Sequence, residues 1–247
     1  MAASPPAKTK HQERQKEFFE RDPARLATRL FGNPKFPRTM RKKFTFIGST
    51  FAGCGRILEV GTGRGLQLRW LLEMLGGRTQ YVGVDIAHAP LVQARAATDA
   101  ADHQRVLLAT GLAEALPFAD SSFDGVFCLD VLHHAASQAA MLAEMTRVLR
   151  PGGRVLCIEP NPIYPVNLIY VRDPIERGLF QLTQKNATRW AQLAGLSEVR
   201  LDNLPIFFPG FPAAFAGAYE RLERLLARLP GVRRLSTTRV LTARRRP

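Results

Sequence analysis

The sequence predicts an α/β fold in which helices cover both faces of a mostly parallel sheet. Two observations lead to this prediction. A short apolar run at residues 57–60 breaks into alternating glycines, Gly61, Gly63 and Gly65, and a helical pattern follows. A second apolar run then ends at Asp85. Strand, tight turn, helix and strand in this order form the first unit of a doubly wound sheet.

The remaining elements are predicted from the spacing of apolar residues and from the proline, glycine and capping residues between them. Residues 1–22 are expected to be disordered or loosely helical, with a short helix after Pro23 and another at residues 40–51. Trp70 is expected in the core face of the helix after the glycine turn. Apolar runs predict strands at residues 105–110, 155–159, 198–203 and 240–245, and Thr183 is expected to cap a helix that ends at Gly195.

The glycine turn predicts a nucleoside site at the carboxyl edge of the sheet. Glycine lets bare backbone approach a ligand, and the next helix offers unpaired N–H groups at its N-terminus. Asp85 lies twenty residues after Gly65, where a carboxylate can accept both hydroxyl groups of a ribose. The alternative is an ordinary glycine-rich turn that binds nothing.

Spacing separates two classes of nucleoside ligand. A dinucleotide fold requires G-x-G-x-x-G, but Leu66 occupies the position of the third glycine. Glu59 would repel a pyrophosphate but could accept a hydrogen bond from a cationic amino-acid group. The run from Glu59 to Gly65 resembles the E-x-G-x-G-x-G signature of class I S-adenosylmethionine-dependent methyltransferases. The resemblance implies a set of cofactor-binding residues: Glu59, Gly61, Thr62, Gly63 and Gly65 for the methionine and ribose end, Asp85 for the ribose hydroxyls and Ile86 for packing on adenine.

Three later segments sharpen the resemblance. Residues 111–118, 120–134 and 145–154 resemble, in order, the motifs of the UbiE-like, or type 11, small-molecule methyltransferases. This implies a Rossmann-like, seven-stranded, mostly parallel sheet whose strand seven is antiparallel. One position departs from the family, because Leu112 replaces the acidic residue that usually faces adenine. The adenine edge is therefore expected at Leu112 and Ala113, and Leu129 and Asp130 complete the cofactor set.

The acceptor is expected beyond strands four and five. His134 is a candidate general base, because its ordinary pKa lies near neutrality and methyl transfer to oxygen requires removal of a proton. The alternative is that both histidines only shape the pocket. The proline-rich loop after strand five either builds the acceptor pocket or is a rigid turn, and it is not the N-P-P-Y motif of nucleic-acid amino methyltransferases. The predicted acceptor-binding residues are His133, Asn161, Tyr164, Phe207 and Phe208.

Four segments are expected: a basic N-terminal arm or lid (1–50), the cofactor-binding core (51–204), an aromatic and helical insertion that covers the acceptor pocket (205–237), and the last strand with a basic tail (238–247). In the insertion, leucines at helical spacing alternate with arginines. We expect this helix to pack its leucines on the domain. The alternative is contact with a membrane.

Composition limits the other possibilities. The net charge of +14 is concentrated in residues 1–50 and 221–247, which suits a solvated surface or attraction to an anionic partner. The three cysteines lack C-x-x-C spacing, so neither a disulfide framework nor a metal site is expected. No run of eighteen apolar residues occurs, and a cytoplasmic location is expected.

Together these features predict an S-adenosylmethionine-dependent methyltransferase that modifies oxygen or carbon of a small, apolar or aromatic, natural-product or quinone-like acceptor and releases S-adenosylhomocysteine. Three alternatives stay open: a nucleic-acid methyltransferase, a non-catalytic binding module, and an enzyme that uses the cofactor without consuming it. A nucleic-acid partner is not expected, peripheral membrane contact is left open, and the oligomeric state is not predicted.

Overall fold

A seven-stranded sheet organises the part of the chain that the structure describes. The computed structural model describes residues 9–21, 36–65, 68–165, 167, 176–206 and 216–247. The strands are β1 (Arg56–Val60), β2 (Gln80–Asp85), β3 (Val106–Thr110), β4 (Phe123–Leu129), β5 (Leu149–Pro160), β6 (Leu196–Leu204) and β7 (Thr238–Arg245). Their order is β3-β2-β1-β4-β5-β7-β6. Strands β1 to β5 pair in parallel, whereas β7 is antiparallel to both β5 and β6, so the predicted fold class is confirmed.

This order places a topological switch at the centre of the sheet. The chain moves outward from β1 through β2 to β3, then returns to place β4 on the other side of β1. The loops that follow β1 and β4 therefore diverge at the carboxyl edge, the position at which open α/β sheets form a ligand-binding crevice.

Helices cover the sheet on both faces. They are α1 (Lys10–Arg21), α2 (Phe36–Thr50), α3 (Leu68–Leu75), α4 (His88–Ala96), α5 (Gln138–Val148), α6 (Gln184–Leu193), α7 (Ala216–Ala227) and α8 (Pro230–Arg233). Short 3₁₀ turns follow β4 at Leu132–His134 and precede α6 at Arg177–Gln181. Among the described residues, no helix combines the length and apolar character needed to cross a membrane.

The core has one apolar layer on each face of the sheet. Residues of α5 and α6, including Met141, Met145 and Ala187, pack on one face. Helices α2 and α3 pack on the other, where Phe44 and Ile47 are buried beside strand residues. Helix α2, part of the segment expected to form an arm, is thus an integral layer of the core.

Several sequence expectations are met and others need correction. Thr183 caps α6 as predicted, since its hydroxyl accepts the Asn186 N–H at 3.2 Å. Residues 10–21, expected to be disordered or loosely helical, form the regular helix α1. The predicted placement of Trp70 in the core is wrong: its side chain is 41% exposed, because α3 is turned so that Leu68, Leu71, Leu72 and Leu75 face the sheet. The helix expected after Pro23 lies outside the described residues.

The expected packing of α7 is also wrong. Leu222 and Leu225 face solvent and Leu226 is only half-buried, whereas Tyr219 and Glu223 form the buried side. Glu223 can be buried because it forms an ion pair with Lys42 of α2 and accepts a hydrogen bond from the Tyr219 hydroxyl. A paired carboxylate inside and leucines outside is the reverse of what hydrophobic patterning alone predicts.

Candidate functional site

The turn between β1 and α3 brings three glycines with left-handed backbone to the crevice. Their φ angles are +82° for Gly61, +55° for Gly63 and +60° for Gly65. A Cβ on Gly61 would overlap the side chain of Val131, and one on Gly65 would lie 2.9 Å from the Cβ of Ala94. A Cβ on Gly63 would meet nothing within 4 Å. Two glycines are thus required by close packing, while Gly63 faces open space in which a ligand can approach the backbone.

Asp85 stands beside this turn at the carboxyl end of β2. One carboxylate oxygen accepts the N–H of Gly63 at 2.8 Å and the other accepts the N–H of Ala87 at 2.9 Å. Burial raises the pKa of Asp85, and these backbone bonds oppose the rise. Each carboxylate oxygen keeps a second acceptor site, so Asp85 can hold the turn and still receive ligand hydroxyl groups. Ile86, which follows directly, is half-buried.

Glu59 lies beneath the glycine turn. Its side chain is buried and accepts a hydrogen bond from the hydroxyl of Tyr81, which also lies 3.2 Å from the Thr62 hydroxyl. Burial raises the pKa of Glu59 to about 7, although the bond from Tyr81 opposes this. A cationic group nearby would favour the ionised form. The sequence indicated Glu59 but not Tyr81, because an aromatic residue at the start of a strand is an ordinary core pattern.

Asp130 closes the crevice from the end of β4. It has a φ of +56°, and its carboxylate oxygens lie 3.0 and 3.2 Å from the ammonium nitrogen of Lys43. The Lys43 residue is buried on α2, whereas the Asp130 side chain is 41% exposed. Leu129, directly before it, is half-buried. The pairing of Lys43 with Asp130 could not be predicted, because the two residues lie 87 positions apart in the chain.

The predicted adenine edge lies in the loop after β3. Leu112 is buried and pairs with Ala115 in an isolated bridge, and Ala113 is half-buried. The next residue, Glu114, accepts the N–H of Ala136 at 2.7 Å and the side-chain amide of Gln12 at 3.1 Å. Glu114 therefore joins this loop both to the loop after β4 and to α1.

Helix α1 also contacts the loop after β4 directly. The carbonyl of His134 lies 3.0 Å from Nε2 of His11 and accepts a hydrogen bond from the Gln15 side chain. Since Gln12 reaches Glu114, one helix connects the loops on both sides of the switch. No amphipathic apolar stripe predicted this docking, because polar side chains and backbone carbonyls make it.

His133 is a buried cation held between two carboxylates. Its Nδ1 bonds to Glu159, and its Nε2 lies 3.1 Å from Glu176. Burial alone would lower the pKa of His133, but Glu159 and Glu176 raise it to about 10. Glu159, itself fully buried, also accepts the N–H of Leu132 at 2.8 Å and of Val131 at 3.1 Å. Both ring nitrogens of His133 are thus engaged, and its assignment to the acceptor stays a prediction.

His134 is half-buried, and its ring contacts that of His133 at a tilt of 42°, with centroids 3.9 Å apart. Its role as a base stays a prediction. In the described part of the chain, His133, His134 and Glu176 bring three potential metal-ligating atoms within 4.8 Å of one another. The ion pairs of His133 account for its position without an ion, and the expectation of no metal stays a prediction.

The residues expected to bind the acceptor after β5 have separate environments. Asn161 is fully buried, and its amide donates to the carbonyls of Arg234 at 2.8 Å and Ser236 at 2.6 Å. It therefore fastens the end of β5 to the segment before β7. Tyr164 is half-buried, and burial raises its pKa. Phe207 and Phe208 lie outside the described residues.

Comparison with known proteins agrees with this geometry. A family described as a methyltransferase domain matches residues 58–157. A demethylmenaquinone methyltransferase of Roseiflexus castenholzii is 39% identical over 110 residues, which is 43% of either protein. The ubiquinone/menaquinone biosynthesis C-methyltransferase UbiE of Desulfotalea psychrophila is 32% identical over 138 residues, or 53% of this chain and 54% of the relative.

Among solved structures, a SAM-dependent methyltransferase of Thermotoga maritima, described as a possible histamine N-methyltransferase, has a TM-score of 0.64 at 16% identity. The alignment covers 94% of this chain and 99% of the other, which shows a shared fold. The chain spans about half the length of the two curated relatives described above.

The sheet order, with its glycine turn beside Asp85, defines a class I methyltransferase domain. Within that class, residues 58–157 match the methyltransferase-domain family, and this part of the chain is similar to the UbiE-like group of S-adenosylmethionine-dependent methyltransferases.

Proposed function

We propose that this protein transfers the methyl group of S-adenosylmethionine to a small, apolar or aromatic acceptor of quinone-like type. The observation that carries the proposal is the open backbone at Gly63, which lies against the Asp85 carboxylate at the switch of the sheet. The names of the curated relatives, which refer to quinone methylation, support the acceptor class.

The residues at the crevice fit S-adenosylmethionine chemically. Asp85 would accept the ribose hydroxyls, and Ile86 with the backbone of Leu112 and Ala113 would hold the adenine. Glu59, whose pKa of about 7 lets it ionise readily, would balance the charge of the methionine ammonium through the turn above it. When bound, the cofactor supplies a methyl group already activated by positive sulfur.

The protein's own contribution is mainly alignment. Holding the acceptor in line with the methyl group supplies much of the acceleration, so no strong base is required. Ion pairs with Glu159 and Glu176 hold the His133 imidazolium in place, and His133 in turn makes the loop after β4 rigid. His134, whose ring contacts that of His133, would take a proton from an acceptor hydroxyl or ring carbon.

Helices α1 and α2 are proposed to cover the cofactor crevice. Helix α1 connects the loops after β3 and β4 through Gln12 and Gln15. Helix α2 reaches the end of β4 through the ion pair of Lys43 with Asp130. A cover of this kind would exclude water from the cofactor and hold the acceptor against it.

The test is calorimetric titration of the purified protein with S-adenosylhomocysteine, with NAD as the control ligand. We expect micromolar binding of the former and none of the latter. Asp85→Ala should weaken binding at least about tenfold, because it removes charge-assisted hydrogen bonds. The matched control is Asp99→Ala, because the Asp99 side chain lies just after α4 and is 59% exposed. This variant should bind the ligand normally. Equal affinity of the Asp85 variant and the control would overturn the cofactor assignment.

Acceptor chemistry is tested separately by mass spectrometry with reduced quinones. Product heavier by one CH₂, with stoichiometric S-adenosylhomocysteine, is expected. Cofactor that binds but is not consumed would favour a binding module, or an enzyme that rearranges its acceptor. Methylation of RNA or DNA instead would favour the nucleic-acid alternative.

A further inference from the structure

Helix α7 presents an apolar row to solvent. Leu222, Leu225 and Leu229 are 41%, 60% and 50% exposed. Their spacing of three and four residues places them on one side of the helix and of the turn that continues it. Tyr219 and Glu223 form the side of α7 that is buried against the domain. Among the residues that the structure describes, the leucine row is therefore not part of the buried side of α7.

A row of positive charge runs alongside the leucines. Arg221, Arg224 and Arg228 are exposed, and each of them directly precedes a leucine of the row. Since one residue advances the helix by about 100°, the two rows are neighbours. The acidic residues of α7 offset this charge only in part, because Glu223 is buried in its ion pair with Lys42 and Glu220 is the one exposed carboxylate of the helix.

We propose that this face of α7 docks on an anionic lipid bilayer. Leucines beside arginines suit the boundary between acyl chains and negatively charged headgroups. There the leucines leave water for an apolar environment, and the arginines are attracted by the anionic headgroups. A nucleic acid would use the arginines but leave the leucine row in water. Negatively charged headgroups are complementary to the three exposed arginines beside the leucine row.

The position of α7 relates this surface to the site. Lys42 of α2 binds Glu223 of α7, and the next residue, Lys43, binds Asp130 at the end of β4. Docking would thus bring the acceptor side of the crevice close to the bilayer, where an apolar acceptor is dissolved. Membrane binding itself requires no turnover, so its test does not depend on the proposed reaction.

The experiment is flotation of the full chain with vesicles of phosphatidylcholine alone, or with about one third phosphatidylglycerol, over a series of salt concentrations. Binding to anionic vesicles that weakens with salt is expected. Replacing Arg221, Arg224 and Arg228 by alanine should weaken partitioning about fivefold for each charge removed at low salt. Replacing the three leucines by serine should weaken it at least about tenfold.

Matched controls use exposed residues elsewhere on the surface. Leu193→Ser on α6 and Val92→Ser on α4 remove side chains that are 72% and 54% exposed, and Arg189→Ala removes an exposed charge on α6. These variants should float like the wild type. Thermal unfolding and S-adenosylhomocysteine binding verify that every variant is folded.

Absence of anionic vesicle binding, or a leucine variant that floats like the Leu193 control, would overturn the proposal. So would light scattering that shows a dimer lost with the leucine row, because a second copy of the chain would then be its occupant.

Discussion

Glu59→Gln should stabilise the protein at alkaline pH while weakening its cofactor binding. Glu59 is buried, and its pKa is about 7. Glutamine has nearly the same shape, and its carbonyl oxygen can still accept the bond from Tyr81. The variant therefore removes the buried charge without opening a cavity, but it also removes the negative charge that a methionine ammonium would meet.

The magnitude follows from proton linkage. The ordinary pKa of 4.5 is raised to about 7 in the native state, so the native protein keeps a proton that the unfolded chain releases between these values. The free energy of unfolding of the wild type therefore falls as pH rises through this window. At about 1.4 kcal/mol per pKa unit, the full loss is about 3 kcal/mol, and it is complete somewhat above pH 7. Glutamine does not titrate, so the Glu59→Gln variant does not show this loss in the free energy of unfolding.

Urea unfolding of both proteins at about pH 5 and pH 8.5 measures this effect. The stability of the variant relative to the wild type should rise by about 2 to 3 kcal/mol between the two conditions. The free energy of unfolding also falls as pH rises from 6.5, the ordinary pKa of histidine, to about 10, the pKa of His133 in the native protein. This loss is the same in the wild type and the variant, so it cancels from the difference between them. Glu73→Gln, an exposed position on α3, should show a difference within about 0.5 kcal/mol at either pH. A pH-independent difference for Glu59→Gln would refute the linkage.

Three further predictions concern the packing and the ion pairs around the site. Gly61→Ala should cost about 3 kcal/mol in urea unfolding, because its left-handed backbone is strained and its Cβ overlaps Val131; Val131→Ala in the same chain should recover part of this, and strictly additive losses would count against the overlap. Glu159→Gln should cost about 3 to 5 kcal/mol, since it leaves a buried imidazolium with an amide donor, whereas Glu176→Gln should cost about 1 kcal/mol, and equal losses in thermal unfolding would contradict this order. Lys43→Met should weaken S-adenosylhomocysteine binding roughly fivefold by removing the ion pair that holds the Asp130 side chain, and unchanged affinity by calorimetry would exclude that ion pair from the cover.

Much of the fold could be predicted because its signals are local. The glycine turn, the apolar strands and the capping of α6 by Thr183 each depend on residues close in sequence. The rotation of α3 and α7 could not be predicted in the same way. In α7, Glu223 is buried because Lys42, far away in the chain, neutralises it. A hydrophobicity pattern contains no record of such a partner.

The candidate site divides along the same line. The glycine turn and the position of Asp85 beside it could be predicted from the sequence, because they depend on backbone geometry and one carboxylate at fixed spacing. The environments of the polar side chains around them are visible only in the folded structure. It buried Glu59 under Tyr81, turned His133 into a cation between two carboxylates, and brought α1 and Lys43 across the crevice. The physical reason is that burial and charge pairing depend on which distant residues meet, and those meetings exist only once the sheet has formed.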